Sequence, residues 1–477
     1  MILNYQNYNK QKNQVVIIGS GPAGISLALG LEKKGIHSLI LEAGDLSYSE
    51  KSQENYKAEV LGDNINNPFY TRLRQFGGSS NHWGGTCLPL DETVFSSWPI
   101  KKEMLDPYSE KTCEILGINN YFNKVTINDD FVLKNLEGSY VNFATKYLDH
   151  IKKSKKINIL FNSYFFKVQN NDKKSLFFKD KNNVNHKVNF NKLVIACGGI
   201  ENSRILLLLQ REKIVKNKNI GKYWMDHPIF YPADVILNRE RYSEFLLNNL
   251  NKLNLKNSSN FVGKKNNLSV NKNFDNLDLR FFYDKQNYKN SGSIQLNLYK
   301  ASSKTKNLIL DLACVAPNLF SKINKNINKY CSANLHFTME QEPMEQNQII
   351  LSEDKVDNFG LPSAILKINY SKQFKKSSID ILTNFGKLLI DNNLGRLAID
   401  KKKIDIINNL NGNHHMGGTR IGFSKKNGVV DKNLKLFDSD NIYILGSSIF
   451  KTGGVANPTF TIVQLSLRLS DHLANEI

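Results

Sequence analysis

The most constraining feature of the sequence is a strand–turn–helix–strand unit close to its beginning. An apolar β-branched run, Val15 to Ile18, ends at a glycine-rich turn with the pattern Gly-x-Gly-x-x-Gly. An apolar helical pattern and a second short strand, Ser38 to Leu41, follow this turn and lead into an acid, Glu42. This order of elements is typical of a βαβ unit that binds a dinucleotide.

The residues of the turn suit the binding of a pyrophosphate. Gly19 allows the tight turn, Gly21 lets the backbone approach the phosphates, and Gly24 lets the helix pack closely on the strand. The N-terminus of the helix offers unpaired N–H groups and a partial positive charge to the ligand. The predicted pyrophosphate-binding residues are Gly19, Gly21, Pro22, Ala23 and Gly24.

Glu42 is the predicted partner of the adenosine ribose. Its position after the second strand is where a carboxylate accepts hydrogen bonds from the ribose hydroxyls. An acid here argues against a 2′-phosphate and therefore against NADP, whereas the motif alone does not distinguish FAD from NAD.

Length and charge limit the class of protein. A chain of 477 residues is too long for one compact core, which favours two domains. The net charge of +20 comes from Lys that is spread together with Asn along the whole sequence. Because no stripe of Arg and aromatic residues accompanies it, we interpret the charge as solvated surface and expect no specific nucleic-acid partner.

The remaining composition points to a soluble enzyme without a metal centre. No apolar run approaches the ~20 residues of a membrane span, and the first residues have no apolar core of a secretory signal. The five cysteines are scattered without a Cys-x-x-Cys pair, which favours neither disulfides nor zinc. We therefore expect a cytoplasmic location, no membrane span and no metal.

The pattern of the chain changes twice. Glycine-rich αβ segments lie at both ends, and short alternating segments typical of an antiparallel sheet lie between Ile229 and Lys403. An inserted domain explains this order better than two consecutive domains do. The predicted division is a discontinuous nucleotide-binding domain, 12–228 and 405–477, with a substrate domain at 229–404.

Two polar groups near the C-terminal end are candidates for chemistry. His414 and His415 lie in a glycine-rich loop, where a structural and a functional role are about equally favoured by the residues alone. Asn457 and Pro458 open the last predicted helix, where Asn is a good N-cap and Pro a good first residue. The same helix N-terminus would also stabilise negative charge on a reduced flavin.

The sequence resembles the glucose-methanol-choline (GMC) oxidoreductase family, in particular its branch of pyranose 2-oxidase and bacterial sugar dehydrogenases. The resemblance extends over the whole chain in family order. The motifs that carry it are GSGPAG with Glu42, FGGSSNHWGG (76–85), SWPI (97–100), ACGGIENSRILL (196–207), IGKYWMDHP (220–228), EQEP (340–343) with NFGLP (358–362), HHMGGTRIG (414–422) and GGVANPT (453–459).

The resemblance implies an α/β FAD-binding, Rossmann-like domain with an inserted α+β substrate domain built on an antiparallel sheet. It also implies the oxidation of an alcohol by hydride transfer to the flavin. Counting back from Arg420 places the family's catalytic histidine at His414, and its second catalytic position falls on Asn457. A neutral imidazole is suited to take the hydroxyl proton, and the two groups together would orient the C–H bond.

The same resemblance implies further contacts with FAD. Relatives carry a covalent flavin bond at the histidine that corresponds to His82, but Gly84 replaces a Thr of those oxidases, so covalent attachment and oxygen reactivity both stay open. His227 is interpreted as a buried turn histidine with a structural role. The residues implied to contact the cofactor, beyond the turn and Glu42, are Gly77, Gly78, Ser79, Asn81, His82, Gly84, Cys197, Gly446, Pro458 and Thr459.

The predicted function is therefore FAD-dependent oxidation of an alcohol group on a sugar, glycoside or other polyol. The electron acceptor is open between oxygen, a quinone and a cytochrome, and a dehydrogenase that uses either of the last two is the first alternative. A non-redox FAD-containing lyase is the second, and a basic nucleic-acid-binding flavoprotein, which rests on the net charge alone, is the third.

Overall fold

The computed structural model describes residues 1–8, 14–63, 65–120, 122–169, 174–252, 279–283, 290–298, 330–405 and 410–477. The strands of these residues, in chain order, are β1 Val15–Ile18, β2 Ser38–Leu41, β3 Ala58–Gly62, β4 Thr86–Cys87, β5 Lys124–Thr126, β6 Phe131–Asn135, β7 Glu137–Gly138, β8 Ile157–Leu160, β9 Tyr164–Gln169, β10 Ser175–Lys179, β11 Asn185–Asn189, β12 Lys192–Ile195, β13 Pro228–Phe230, β14 Ala233–Asn238, β15 Leu279–Tyr283, β16 Gly292–Leu298, β17 Tyr330–Met339, β18 Gln348–Val356, β19 Pro362–Ile368, β20 Gly395–Ile399, β21 Leu410–Asn411 and β22 Ile442–Ile444. The α-helices are α1 Pro22–Lys33, α2 Glu50–Gln53, α3 Ser109–Leu116, α4 Phe143–Lys153, α5 Gly199–Arg211, α6 Arg239–Lys252, α7 Lys372–Asp391, α8 Lys401–Asp405 and α9 Thr459–Glu476.

A five-stranded parallel sheet forms the centre of the nucleotide-binding part. Its strand order is β22-β12-β1-β2-β8, and every pairing is parallel. All four residues of β1 are buried, as expected for a parallel strand that is covered on both faces. Helix α1 packs against α9, so the first and last segments of the chain share one core. The predicted α/β FAD-binding fold is confirmed.

A nine-stranded sheet carries the second core. Its main path is β20-β14-β17-β16-β15-β6-β5, and β13 and β21 pair beside β17. Phe337 and Met339 alternate along β17 toward α7, where Ile381 and Phe385 are also fully buried. Since period-2 alternation gives a sheet one apolar face, α7 covers that face. This architecture confirms the predicted α+β part built on an antiparallel sheet.

The predicted domain boundaries are not directly tested by this arrangement and stay a prediction. Strands β5 and β6 come early in the chain, yet β6 pairs with β15 of the nine-stranded sheet and β5 pairs with β6. The later segment therefore completes its sheet with two strands from the preceding part of the sequence. The predicted strand at 308–315 lies outside the described residues.

Two predictions of individual elements were wrong. The sequence of residues 101–116 predicts one helix, but only α3 is α-helical and two 3₁₀ turns precede it. Pro107 lies in the second turn, where its ring and missing N–H interrupt a continuous helix. The segment of β19 is one of the alternating segments between Ile229 and Lys403, for which the sequence predicts a place in the large antiparallel sheet. Strand β19 instead pairs with β18 and, in parallel, with β3. Strand β3 is half-exposed or exposed and has no clear periodicity.

Candidate active site

A cavity of about 470 Å³ lies at one edge of the parallel sheet. Four of its lining residues lie just beyond the ends of parallel strands: Gly19 and Glu42 directly follow β1 and β2, and Cys197 and Gly446 are the second residues after β12 and β22. The carboxyl ends of parallel strands therefore meet at this cavity, which is where open α/β sheets bind their ligands.

The glycine-rich turn presents unpaired backbone donors to the cavity. Helix α1 begins at Pro22 with neither a side-chain cap nor an acidic residue in its first turn. Gly19 has a φ of +100°, and a Cβ on Gly24 would lie 2.0 Å from the Gly19 carbonyl oxygen. Because the first N–H groups of a helix have no partner within it, this helix end fits an anionic pyrophosphate.

The Glu42 carboxylate is buried and holds the turn in place. Its Oε2 accepts hydrogen bonds from the Ser20 backbone N–H at 2.9 Å and from the Ser20 hydroxyl at 2.6 Å. Its Oε1 accepts one from the Gly44 N–H at 2.7 Å. Glu42 also lines the cavity, so its predicted ribose contact would come in addition to this role within the chain.

Most of the predicted cofactor-binding residues line the same cavity. They are Gly19, Gly21, Pro22, Ala23, Glu42, Gly78, Ser79, His82, Gly84, Cys197, Gly446, Pro458 and Thr459. Burial lowers the pKa of His82, so its imidazole is neutral at neutral pH. The covalent bond at His82 stays a hypothesis.

Three residues of the predicted set do not line the cavity. Gly24 packs on the Gly19 carbonyl, as its role in the turn requires. Gly77 has a φ of +86°, and a Cβ there would lie 2.8 Å from the Ala144 nitrogen. Asn81 donates its side-chain amide to the Phe76 carbonyl at 2.8 Å. Gly77 and Asn81 therefore shape the loop behind the cavity wall.

Sequence reasoning missed a cluster of buried charges in the cavity wall. Arg204 pairs with Asp357 at 2.5 Å and with Glu201 at 2.8 Å. Among the described residues, Nη1 of Arg72 and Nε of Arg74 are buried without a hydrogen-bond partner, although Nη1 of Arg72 lies 3.9 Å from Glu201 Oε2. Guanidinium donors without partners beside a phosphate-binding turn suit an anionic cofactor. The two arginines of the segment TRLR (71–74) were the signal in the sequence for this cluster.

His414 and Asn457 meet at the cavity wall. Nδ2 of Asn457 lies 3.2 Å from Nε2 of His414, and both residues line the cavity. Asn457 was expected to cap the last helix, but Pro458 occupies the cap position and no side chain caps it. The structure thus brings the two predicted catalytic groups together across 43 residues of sequence.

The neighbouring His415 is directed elsewhere. Its Nε2 lies 2.8 Å from the Thr71 hydroxyl, and its ring stacks on Trp224 with centroids 6.0 Å apart. Burial lowers the pKa of His415 to about 3. Among the described residues, Asn457 therefore contacts His414 and not the adjacent His415.

The imidazole of His414 is held neutral. Burial, followed by repulsion from His227, His415 and Arg280, lowers its pKa well below the usual value. A neutral imidazole has a free lone pair and is ready to accept a proton. Together with Asn457, this arrangement can bind a hydroxyl group and take up its proton.

The residues around the cavity fit FAD. The helix N-terminus at Pro22 and the unpartnered donors of Arg72 and Arg74 suit a dinucleotide's phosphates. Helix α9 also begins at the cavity without a side-chain cap or an acidic residue in its first turn, which suits negative charge on a flavin ring. The fold and the cavity together define a flavin-dependent oxidoreductase scaffold.

The comparison with known families agrees with this assignment. The sequence profile described as GMC oxidoreductase matches residues 343–466, and the profile described as FAD binding domain matches residues 12–63. Residues 343–466 thus match a GMC oxidoreductase domain, residues 12–63 match an FAD-binding domain, and the cofactor is FAD. The predicted resemblance to the GMC family and the predicted cofactor are thereby confirmed.

Two curated relatives are similar to parts of the chain. The fructose dehydrogenase large subunit of Gluconobacter japonicus is 24% identical over 312 residues, which are 64% of this chain and 51% of that protein. The 2-methyl-1,2-propanediol dehydrogenase of Mycolicibacterium austroafricanum is 30% identical over 136 residues, which are 28% and 24% of the two chains. The chain thus spans about half the length of the first relative and a quarter of the second.

Solved structures of similar fold cover nearly the whole chain. Pyridoxine 4-oxidase from Mesorbium loti superposes with a TM-score of 0.61 at 12% identity over 97% of this chain and 99% of its own. Formate oxidase superposes with a TM-score of 0.59 at 12% identity over 97% and 98%. These likenesses establish the fold. Among the residues that the structure describes, no helix has the length and apolar character needed to span a membrane.

Proposed function

We propose that this protein catalyses the FAD-dependent oxidation of an alcohol group on a sugar, glycoside or other polyol. His414 acts as the base, and Asn457 positions the substrate. The observation that carries the proposal is the 3.2 Å contact between Nε2 of His414 and Nδ2 of Asn457 in the wall of the FAD cavity.

The two side chains have different roles toward the substrate hydroxyl group. The lone pair on Nε2 of His414 accepts the hydroxyl proton as the C–H bond breaks. The Asn457 amide donates to the hydroxyl oxygen and fixes its orientation, which is the contribution of positioning to the rate. The substrate loses one proton to His414 and one hydride, which carries both electrons, and becomes a carbonyl compound.

FAD, when bound, supplies the acceptor of the hydride. The chain supports this chemistry by keeping His414 neutral and by presenting the start of α9 to the cavity. Burial of the site also excludes water, which strengthens hydrogen bonds to the reacting group.

The polyol class is supported by the relatives. The names of the two curated relatives describe dehydrogenases of a sugar and of a diol. Both substrates carry more than one hydroxyl group, so polar recognition beside the reacting carbon is a shared requirement.

The first experiment is anaerobic reduction of the bound flavin by a panel of alcohols. Holoenzyme is mixed with sugars, glycosides, small diols and monohydric alcohols, and loss of the yellow absorbance is followed by stopped flow. We expect rapid bleaching by at least one polyol. Failure of every alcohol to bleach the flavin would favour the non-redox lyase alternative.

The acceptor is tested with the same substrate. Oxygen uptake with peroxide formation identifies an oxidase, whereas turnover with a quinone analogue or cytochrome but without peroxide identifies a dehydrogenase. The names of the relatives favour the dehydrogenase. Acid precipitation tests the bond at His82, since yellow colour that stays with the pellet indicates covalent FAD.

A further inference from the structure

Behind His414 lies a second buried histidine. Nδ1 of His227 is 2.9 Å from Nδ1 of His414, and the two rings are perpendicular with centroids 5.0 Å apart. His227 is fully buried, and burial lowers its pKa to about 4. Two neutral imidazole nitrogens at this distance share one proton, so one of them donates and the other accepts.

The contact with the Asn457 amide indicates the direction of this hydrogen bond. Its Nδ2 group has only donors, so Nε2 of His414 accepts and carries no proton. The proton of neutral His414 is therefore on Nδ1 and is donated to Nδ1 of His227. His227 in turn carries its proton on Nε2.

The surroundings of His227 agree with that assignment. Its Nε2 is buried and faces the backbone of the segment that leads to Asn457, because a Cβ on Gly453 would lie 3.2 Å away from it. The Gly454 backbone acts to raise the pKa of His227, which is the effect of a carbonyl oxygen facing an N–H group. Nε2 of His227 has no hydrogen-bond partner among the described residues, and in this arrangement its proton faces the Gly454 backbone.

The backbones of the two histidines are tied together by one carboxyl oxygen. Oδ1 of Asp226 accepts the His227 N–H and the His414 N–H, each at 2.7 Å. The Gly412 N–H also donates to the His227 carbonyl at 2.7 Å. These bonds fix the relative position of the two rings independently of the side chains themselves.

We propose that His227 is a positioning residue that holds His414 in the Nδ1-protonated tautomer, with the Nε2 lone pair free for the substrate. This inference rests on the proposed role of His414 as the base. His227 occupies the place that a carboxylate occupies beside the histidine of a Ser-His-Asp triad. Because His227 is neutral, it orients the base and accepts its hydrogen bond without adding a buried charge.

The tautomer can be measured without turnover. Holoenzyme labelled with ¹⁵N-histidine gives distinct ring nitrogen shifts for the two tautomers, and His414→Gln assigns the His414 signals. We expect the Nδ1–H form in the wild-type protein and in His227→Asn, whose carbonyl oxygen can replace Nδ1 as the acceptor. We expect His227→Leu to shift His414 toward the Nε2–H form.

The rate of flavin reduction gives the second measurement. A wrong tautomer at a catalytic histidine lowers the rate by orders of magnitude, so we expect His227→Leu to lower the limiting rate by ~10²-fold or more. The apparent substrate affinity should stay the same, and His227→Asn should recover most of the rate. His186→Asn is the matched control, because His186 contacts Asp180 at 3.1 Å and does not line the cavity.

The outcomes separate this inference from the proposed function. An Nε2–H tautomer of His414 in the wild-type protein, or a tautomer unchanged in His227→Leu, would overturn the role of His227. A wild-type flavin that no alcohol reduces would overturn the proposed function while the tautomer still reports on His227. If His227→Leu does not fold, the wild-type and His227→Asn spectra decide.

Discussion

The Glu340 carboxylate accepts a hydrogen bond from the Gly454 backbone N–H at 2.8 Å. Its other oxygen accepts one from the Ser291 hydroxyl at 2.8 Å. Glu340 directly follows β17, and Gly454 lies three residues before Asn457. The nine-stranded sheet therefore holds the segment that positions one of the two proposed catalytic groups.

Removing this carboxylate should affect both stability and rate. Glu340→Ala leaves the buried donors of Gly454 and Ser291 without acceptors, which costs about 1–3 kcal/mol in the free energy of unfolding. Asn457 should lose its fixed position, so flavin reduction should slow as well. Urea unfolding and stopped flow measure the two effects. A Glu340→Gln variant, which keeps one acceptor oxygen, should lie between Ala and wild type on both scales.

Replacing the proposed base should separate cofactor binding from chemistry. His414→Ala keeps the glycine-rich turn and Glu42, so the protein should remain yellow. The rate of flavin reduction by a good substrate should fall by ~10²-fold or more, because the hydroxyl proton has lost its acceptor. The control is His186→Ala, in which a histidine distant from the cavity is removed. An unimpaired reduction rate in His414→Ala would move the base to another residue.

Glu42 should contribute to FAD affinity through two routes. Glu42→Ala removes the proposed ribose acceptor and also frees the N–H groups of Ser20 and Gly44. We expect FAD binding to weaken by about 1–3 kcal/mol, the range for leaving buried groups unsatisfied. Fluorescence titration of the apoprotein with FAD measures this loss. Equal FAD affinity in Glu42→Ala and wild type would contradict both routes, whereas Glu42→Gln should retain part of the affinity.

The sequence predicted those parts of the site that depend on local order. The turn from Gly19 to Gly24 and the acid at Glu42 lie within one βαβ unit, where spacing along the chain sets position in space. The contact between His227 and His414 joins residues 187 positions apart. No periodicity or cap links those two segments, so only a structural role is predicted for His227 from the sequence.

Strand β3 was missed for a related reason. Its residues are half-exposed or exposed, so no apolar alternation marks it, and its pairing with β19 joins residues about 300 positions apart. Edge pairing of this kind is set by tertiary contacts rather than by intrinsic propensity. The two kinds of sheet, parallel and antiparallel, were predictable because the αβ and alternating patterns differ over long stretches.

Acid should destabilise the protein between about pH 6.5 and pH 4. Burial lowers the pKa of His227 to about 4 and of His415 to about 3, and that of His414 is lowered too. In the unfolded chain these histidines titrate near ~6.5, so in this window the unfolded state binds more protons. The free energy of unfolding therefore falls as pH falls. Thermal melts of the holoenzyme across this range check the sign, and a midpoint that rises on acidification would contradict it.

Titration of Asp226 should change the free energy of unfolding with pH in the direction opposite to that of the histidines. Burial raises its pKa to about 7 from ~3.9 in the unfolded chain, so the folded state binds the extra proton between these values. Its contribution to stability is present at low pH and is lost as pH rises toward 7. Its Oδ2 is 3.7 Å from Nδ1 of His415, but the low pKa of that histidine makes the contact a neutral one.

The variant Asp226→Asn isolates this effect. The Asn carbonyl oxygen can still accept the N–H groups of His227 and His414, while the ionisation of the buried carboxyl is removed. We expect the melting temperature of the variant, relative to wild type, to be higher at pH 8 than at pH 5. Melts of both proteins at the two pH values measure the difference. A relative stability that is the same at both pH values would mean that Asp226 does not titrate in this range, and the carboxyl would then have to be ionised throughout.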